Sequence, residues 1–247
     1  MFQYAAGRRI AYTNNTELKL DITGYDNQVG ITSRKYALNI FKIQARIANN
    51  EDVGKLKREH IILSKINKYI PVFRSSYIKE KHFHFDPNIL NVKDNAYLEG
   101  YWSSEKYFKD LEDIIRKEFT FKDKPNVANR KIVKLINNCN SVSLHIRRSD
   151  YVFDEKTNKY HGVCNLQYYL NAAVMIARKV KNPKFYIFSD DIQWAKQNLH
   201  LKFPCIYVDH NADKKDFEDM RLMTSCQHNI IANSSFDPYL NAIIYTK

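Results

Sequence analysis

The chain has 247 residues, and a hydrophobic content of 44% is that of a globular protein that can bury a core. It lacks a run of about 18 apolar residues and a secretory leader, so we expect a cytoplasmic protein. Its 39 Lys and Arg against 27 Asp and Glu give a formal net charge of +12, which predicts an anionic partner: nucleic acid, a phosphorylated substrate or an acidic membrane surface. The four cysteines have no zinc-like spacing and are interpreted as reduced structural thiols.

The first half of the chain is irregular. Apolar spacing predicts a helix over Met1–Tyr12 and another over Ser103–Lys117, with a strand over Leu18–Ile22 between them and a helix over Lys55–Pro71. Charge and proline interrupt the pattern at Phe121–Asn126. This interruption predicts a domain boundary, with residues 1–125 and 126–247 as the two domains.

The second half alternates between strands and helices. The strands are predicted at residues 141–146, 184–188, 204–209 and 229–233, and the helices at 166–179, 192–199 and 216–227. The strand at 184–188 is almost wholly apolar, as expected of a parallel strand covered on both faces. The alternation predicts an α/β fold with a doubly wound parallel sheet and right-handed crossovers.

Charged and hydroxyl side chains follow three of these strands. Ser141, Ser143, His145 and Arg147 alternate with an apolar set, so Arg147 and Arg148 are predicted to leave the strand on different sides. Open α/β sheets bind ligands at the carboxyl ends of strands, and arginine suits phosphate because its planar fork pairs bidentately. The residues that could converge there are Arg147, Arg148, Asp150, Ser189, Asp190, Asp191, Asn233, Ser234 and Ser235. The alternatives are that Asp150 only pairs the arginines and that the others are helix caps or turn formers.

Several motifs in a consistent order resemble the bacterial α-1,2-fucosyltransferases, glycosyltransferase family 11. The central one is His145-Ile-Arg-Arg-Ser-Asp-Tyr-Val152, and the others are Met1–Gly7, Tyr97–Phe108, Tyr160–Val163, Phe188–Trp194 and Asp219–Phe236. The resemblance implies a GT-B fold of two Rossmann-like domains facing a cleft. The domain at 1–125 would lie on the acceptor side, and the domain at 126–247 would bind GDP-β-L-fucose.

The resemblance also implies a role for individual residues. Arg147 would bind the donor diphosphate, while His145 and Asp219 would lie near the guanine. Ser234 and Ser235 would lie at the phosphates, Arg148 beside them, and Asp190 and Asp191 would shape the nucleotide pocket. Transfer would invert the anomeric centre, with no cofactor and no metal ion.

Three departures from the family pattern are visible. The Gly-rich turn that the family places before Met-Phe-Gln-Tyr-Ala does not precede Met1, so the first domain is expected to lack its first strand and that loop. The family's Ser-Trp-Trp does not follow Phe236, which looks like an excised segment. Ser149 stands where glycine is usual, a small change unless the turn needs a positive φ.

An inverting transfer benefits from a base at the acceptor hydroxyl, and Asp150 and His161 are the candidates. Each has a plain alternative: Asp150 as an ion-pair partner of an arginine and His161 as a loop residue. The predicted partners are GDP-fucose, a galactose-terminated acceptor and, through the basic charge, the anionic inner face of a bacterial membrane. The competing functions are another GDP-sugar transferase, such as an α-1,6-fucosyltransferase, and a basic nucleic-acid-binding protein, for which 17 tyrosines and 14 phenylalanines could stack bases.

Overall fold

The computed structural model describes residues 1–25, 35–57, 75–148, 152, 158–159, 162–211 and 216–233. The chain divides into two compact units, Met1–Lys122 and Asp123–Lys247. Both units combine helices with strands that pair in parallel, so the chain is a mixed α/β protein. The assignment of an acceptor side to residues 1–125 and a nucleotide side to 126–247 stays a prediction.

The first unit begins with helix α1, Phe2–Thr13, as the sequence predicts. Tyr4 and Ile10 lie on its buried side. Tyr4 donates a hydrogen bond to the carboxylate of Glu118, and Nε of Arg8 lies 2.9 Å from the same group. Glu118 is buried, and a buried carboxylate is tolerated only when it is paired and hydrogen-bonded. This contact therefore ties the helix to the far end of its own unit.

Short parallel strands follow α1 in the first unit. Strand β1 (Lys19–Leu20) pairs with β2 (Arg46–Ile47), and β3 (Tyr77–Lys79) pairs with β4 (Tyr97–Glu99). Strand β1 is shorter than predicted because Asp21 accepts hydrogen bonds from the backbone and hydroxyl of Thr23, which turns the chain. Of the helix predicted over Lys55–Pro71, residues 55–57 belong to a helical stretch over 50–57, and the remainder lies outside the described residues.

The continuous helix predicted over Ser103–Lys117 is wrong. Two 3₁₀ turns, Glu105–Tyr107 and Lys109–Leu111, precede a short helix α2, Glu112–Glu118. Phe108 separates the turns with φ −142° and ψ 17°, outside the helical region. The break allows the adjacent side chains of Tyr107 and Phe108 both to be buried, so tertiary packing overrides the helical periodicity here.

The described sheet of the second unit has four parallel strands in the order β7-β6-β5-β8: β5 is Asn140–Ile146, β6 is Pro183–Ser189, β7 is Cys205–Tyr207 and β8 is His228–Ile230. All four predicted strands are present. The outer two are shorter than predicted: Pro204 has no N–H to donate, and the carbonyl of Ile231 accepts from the Tyr168 hydroxyl.

Helices connect these strands. Helix α4 (Leu166–Lys179) follows β5, α5 (Ile192–Asn198) follows β6, and α6 (Asp216–Ser225) precedes β8. All three helices lie where the sequence predicts them. Helix α3 (Val127–Asn137), which begins the unit, was not predicted; Asn126 caps it by accepting from the backbone N–H of Asn129. No helix among the described residues is long and apolar enough to span a bilayer.

The sheet is covered on both faces. Val142, Leu144 and Ile146 of β5 pack in a core with side chains of α4 and α5, such as Tyr169 and Ala195. His145 points to the other face, near Asp219 of α6. The chain proceeds from β5 through β6 to β7 and then returns to place β8 on the opposite side of β5. This reversal is a topological switch point, the position at which open α/β sheets bind ligands.

Candidate functional site at the carboxyl end of the sheet

Arg147 follows β5 and contacts the residue that follows β6. The two strands are in register so that Ile146 lies opposite Ser189, which brings the next residues of each strand together. Nε of Arg147 lies 3.1 Å from Oδ2 of Asp190, and the backbone N–H of Arg148 donates to Oδ1 of the same carboxylate at 2.8 Å. Asp190 therefore holds both the side chain of the first arginine and the backbone of the second.

Arg148 lies in a different environment. Its guanidinium carbon is 3.7 Å from the centroid of the Trp194 ring, which is a close cation–π contact. Its Nε lies 3.6 Å from Oδ2 of Asp191, an ion pair too long for a hydrogen bond. The two arginines thus engage different acids, as expected of side chains that leave a strand on different sides.

The acids also organise the start of α5. Asp191 is its N-cap and accepts from the backbone N–H of Trp194 at 3.1 Å, while Ser189 accepts from the N–H of Asp191 at 3.0 Å. For Asp191, the helix-cap alternative is therefore confirmed. Among the described residues, His, Cys, Asp and Glu side chains form no group of three that could hold a metal ion. That activity needs no metal ion stays a prediction.

His145 and Asp219 lie near each other on the face of the sheet that α6 covers. Burial raises the pKa of the Asp219 carboxyl above its ordinary value of 3.8, against the lowering effects of a hydrogen bond from Asn211 and of the nearby His145. Nδ2 of Asn211 donates to Oδ1 of Asp219 at 2.8 Å. The carboxylate is therefore oriented and partly desolvated, a state in which its hydrogen bonds are strong.

A buried polar network supports Asp219, and the sequence interpretation missed it. Nδ2 of Asn129 donates to Asn211 and to Glu218, both at 3.0 Å. Oδ1 of Asn129 lies 2.7 Å from Nε2 of His210. Asn129 is completely buried, seven residues before the buried Ile136 of α3. An asparagine at core spacing in an amphipathic helix is the signal that could have revealed the network.

Four predicted site residues lie outside the described part of the chain: Asp150, His161, Ser234 and Ser235. Their neighbours are described. Nδ2 of Asn233 donates to the carbonyl of Gly162 at 3.2 Å, and its Oδ1 accepts from the Cys164 thiol at 3.6 Å. The end of the segment after β8 therefore contacts the residues that lead into α4.

The geometry defines a class of protein. A parallel α/β unit with paired arginines and acids at its strand ends, beside a switch point, is a unit built to bind an anionic ligand. Comparison of the sequence with known protein families identifies the family. Residues 19–243 match the family described as Glycosyl transferase family 11, and the chain belongs to it. The protein is therefore a glycosyltransferase, an enzyme that takes a nucleotide-sugar donor and a glycan acceptor.

Individual relatives agree with this assignment. The chain is 32% identical to an alpha-1,2-colitosyltransferase of Escherichia coli over 96% of its own length and 80% of the relative's. It is 31% identical to the O-antigen biosynthesis glycosyltransferase WbnK of Escherichia coli over 96% and 83%. A galactoside alpha-(1,2)-fucosyltransferase 1 of Ateles belzebuth is 25% identical over 56% of this chain and 40% of its own.

Proposed function

We propose that the protein is an inverting α-1,2-fucosyltransferase that moves L-fucose from GDP-β-L-fucose to the 2-hydroxyl of a terminal galactose in an oligosaccharide or surface-glycan precursor. The observation that carries the proposal is the contact between Arg147 and Asp190 at the strand ends. A GT-B arrangement, with acceptor and donor domains facing a cleft, is part of the proposal. Peripheral contact with anionic lipid is a further part, supported by the net charge of +12.

Arg147 would bind the diphosphate. Displacing GDP from the anomeric carbon builds negative charge on the β-phosphate while the sugar gains oxocarbenium character. The planar guanidinium suits a bidentate contact with phosphate oxygens, and Asp190 orients it. A preorganised donor at the developing charge is worth about 3 kcal/mol, roughly a hundredfold in rate. Ser234 and Ser235 would add hydroxyl donors to the same phosphates.

Asp219 would recognise guanine. Guanine presents two adjacent donors, N1–H and the 2-amino group, and a carboxylate can accept from both at once. Uracil presents one N–H between two carbonyl oxygens, which a carboxylate repels. The hydrogen bond from Asn211 and the nearby His145 favour the ionised form that such recognition requires. The pocket would therefore select GDP over UDP.

A second donor is favoured by one comparison, the 32% identity to an alpha-1,2-colitosyltransferase. Colitose is L-fucose without its 3-hydroxyl, so the two donors share the nucleotide and differ at one polar group. A site that hydrogen-bonds the 3-hydroxyl rejects the analogue that lacks it, whereas an apolar site discriminates weakly. Comparing kcat/KM for GDP-fucose and GDP-colitose decides between them.

The test of the function combines binding with product analysis. A ligand at 100 times its Kd contributes about 2.7 kcal/mol to stability, so melting shifts are measured with GDP, GDP-fucose, GDP-colitose and UDP. We expect shifts with the guanosine ligands and none with UDP. Lactose and GDP-fucose are then incubated with the enzyme, and NMR of the product should reveal an α linkage to the galactose 2-hydroxyl. An equal shift with UDP, or a 1→6 linkage, would overturn the proposal.

A further inference from the structure

The segment Tyr97–Phe108 belongs to a motif that the donor site leaves unexplained, and it contains a strained residue. Trp102 has a φ of +54°, in the left-handed region that a bulky side chain rarely adopts. Its indole is nevertheless buried, packed edge-on against Tyr107 with ring centroids 5.6 Å apart. Strain of this kind persists only where the surroundings impose it, and it clusters at functional sites.

The surroundings that impose this conformation are visible. The carboxylate of Glu80 accepts from two successive backbone N–H groups, those of Tyr101 at 2.7 Å and Trp102 at 3.1 Å. A Cβ atom on Gly100 would lie 2.4 Å from Cβ of Glu80, so only glycine fits there. Gln3 donates to the carbonyl of Gly100 at 2.7 Å. The loop is therefore held by Glu80 on one side and by Gln3 on another.

The held loop presents an aromatic side chain outward. Tyr101 is 66% exposed, and its neighbour on the adjacent loop, Phe83, is 62% exposed. Their ring centroids are 6.1 Å apart and the rings are inclined at 43°, so each keeps most of one face open. The loop of Phe83 is itself anchored, because the backbone N–H of Asp86 donates to the hydroxyl of Tyr107 at 2.9 Å.

Polar side chains precede and follow Phe83 in the chain. His82 and His84 flank Phe83 and are exposed, with their imidazoles stacked at 5.0 Å and nearly parallel. Imidazoles offer both donors and acceptors to hydroxyl groups. A pyranose needs this combination, since one face of galactose is a patch of C–H groups and its rim is hydroxyl. A sugar therefore fits this surface better than a wholly apolar ligand.

We propose that Tyr101 and Phe83 form a platform that binds the acceptor through the C–H face of its terminal β-galactoside. The inference rests on the proposed function for the identity of the glycan. Glu80 and Gly100 then act as positioning residues, because they hold the backbone that carries Tyr101 without facing the sugar themselves. The strained backbone of Trp102 keeps the preceding residue, Tyr101, in its exposed position.

The experiment compares Tyr101→Ala, Phe83→Ala and Tyr101→Phe with wild type, using lactose as acceptor and GDP-fucose as donor. Each alanine variant should raise the lactose KM about tenfold, the effect of losing one aromatic contact, while Tyr101→Phe stays close to wild type. Hydrolysis of GDP-fucose without acceptor and the affinity for GDP should not change. Tyr12→Ala is the matched control, since Tyr12 is 54% exposed in the same unit.

A second measurement separates this proposal from the proposed function. Saturation-transfer NMR with methyl β-D-galactopyranoside detects weak binding without turnover, and the signal should be present in wild type and lost in Tyr101→Ala. If GDP-fucose is no donor but the galactoside signal behaves in this way, the platform stands and the donor assignment fails. An alanine variant at Tyr101 that keeps both the lactose KM and the NMR signal overturns the platform. The platform is also overturned if the wild-type protein binds neither lactose nor methyl β-D-galactopyranoside.

Discussion

Nε of Arg147 lies 3.1 Å from Oδ2 of Asp190, so the residue after β5 is tied to the residue after β6. The contact orients a guanidinium at the sheet edge before any ligand arrives. Such preorganisation removes part of the entropic cost of fixing a long side chain on binding. The neighbouring Arg148 instead stacks on Trp194. The two arginines therefore differ in environment and can differ in role.

The first prediction concerns these two arginines. Arg147→Lys should lower kcat by about a hundredfold or more and weaken GDP binding, although the charge is kept, because lysine cannot make a forked contact with phosphate. Steady-state kinetics and GDP titration measure both effects. The melting temperature should change little.

Arg148→Lys is the matched control, and we expect the opposite pattern. Loss of the stack on Trp194 should cost about 0.5–2 kcal/mol of stability while most of the turnover is kept. Urea denaturation measures the loss. Equal activity losses in the two variants, with folding unchanged, would refute the assignment of the phosphate contact to Arg147 alone.

The second prediction concerns pH and Asp219. Its folded-state pKa is raised above 3.8, mainly by burial, so at pH values between 3.8 and the folded-state pKa the folded protein holds a proton that the unfolded chain has already lost. The stability contribution of this group is complete below 3.8 and is lost as the pH rises through the folded-state pKa. Asp219→Asn removes the titration. The melting temperature of the variant, relative to that of wild type, should therefore increase as the pH is raised from acidic to neutral.

The same substitution should damage binding. An asparagine cannot accept from both guanine donors, so the affinity for GDP should fall by about tenfold to a hundredfold. In wild type, GDP affinity should increase as the pH rises through the raised pKa of Asp219, because the carboxylate is the binding form. Calorimetric titrations at several pH values test this. An unchanged GDP affinity in Asp219→Asn would remove the residue from the pocket.

The sequence was most informative in the second unit. Strands β5 and β6 and helices α4 and α5 follow directly from apolar periodicity, because each buries one side or both sides in a single core. The pairing of Arg147 with Asp190 did not follow, since it depends on the register between two strands with 36 residues between them in the chain. Asn129 was missed for a similar reason: a polar residue in a core reveals its purpose only through distant partners.

The third prediction tests the buried network. Asn129→Ala removes the contacts to Asn211, Glu218 and His210 and leaves the buried Asn211 and Glu218 with fewer hydrogen-bond partners. The free energy of unfolding should fall by about 3 kcal/mol. Asn171→Ala, on the exposed side of α4, removes a hydrogen bond from Gln167 and should change stability by under about 0.5 kcal/mol. Similar losses in both variants would show that burial of the network is unimportant.

The fourth prediction is that activity survives EDTA. The diphosphate charge is expected to be balanced by Arg147 and by hydroxyl groups, while Asp190 and Asp191 are engaged by the arginines and the α5 cap. Initial rates with and without chelator measure the effect. If chelation stops transfer and magnesium or manganese restores it, the two acids must be reassigned as metal ligands.

The last prediction concerns the base that takes the proton of the acceptor hydroxyl. Removing a true base should lower turnover by about 10² to 10⁴-fold with little change in GDP affinity, because the lost interaction acts only on the acceptor. Asp150→Asn and His161→Ala are compared with a lactose acceptor. The exposed residues Asp113 and His200 supply the controls Asp113→Asn and His200→Ala. If both test variants keep more than about a tenth of wild-type turnover, neither residue is the base, and stabilisation of the leaving diphosphate by Arg147 must carry most of the catalysis.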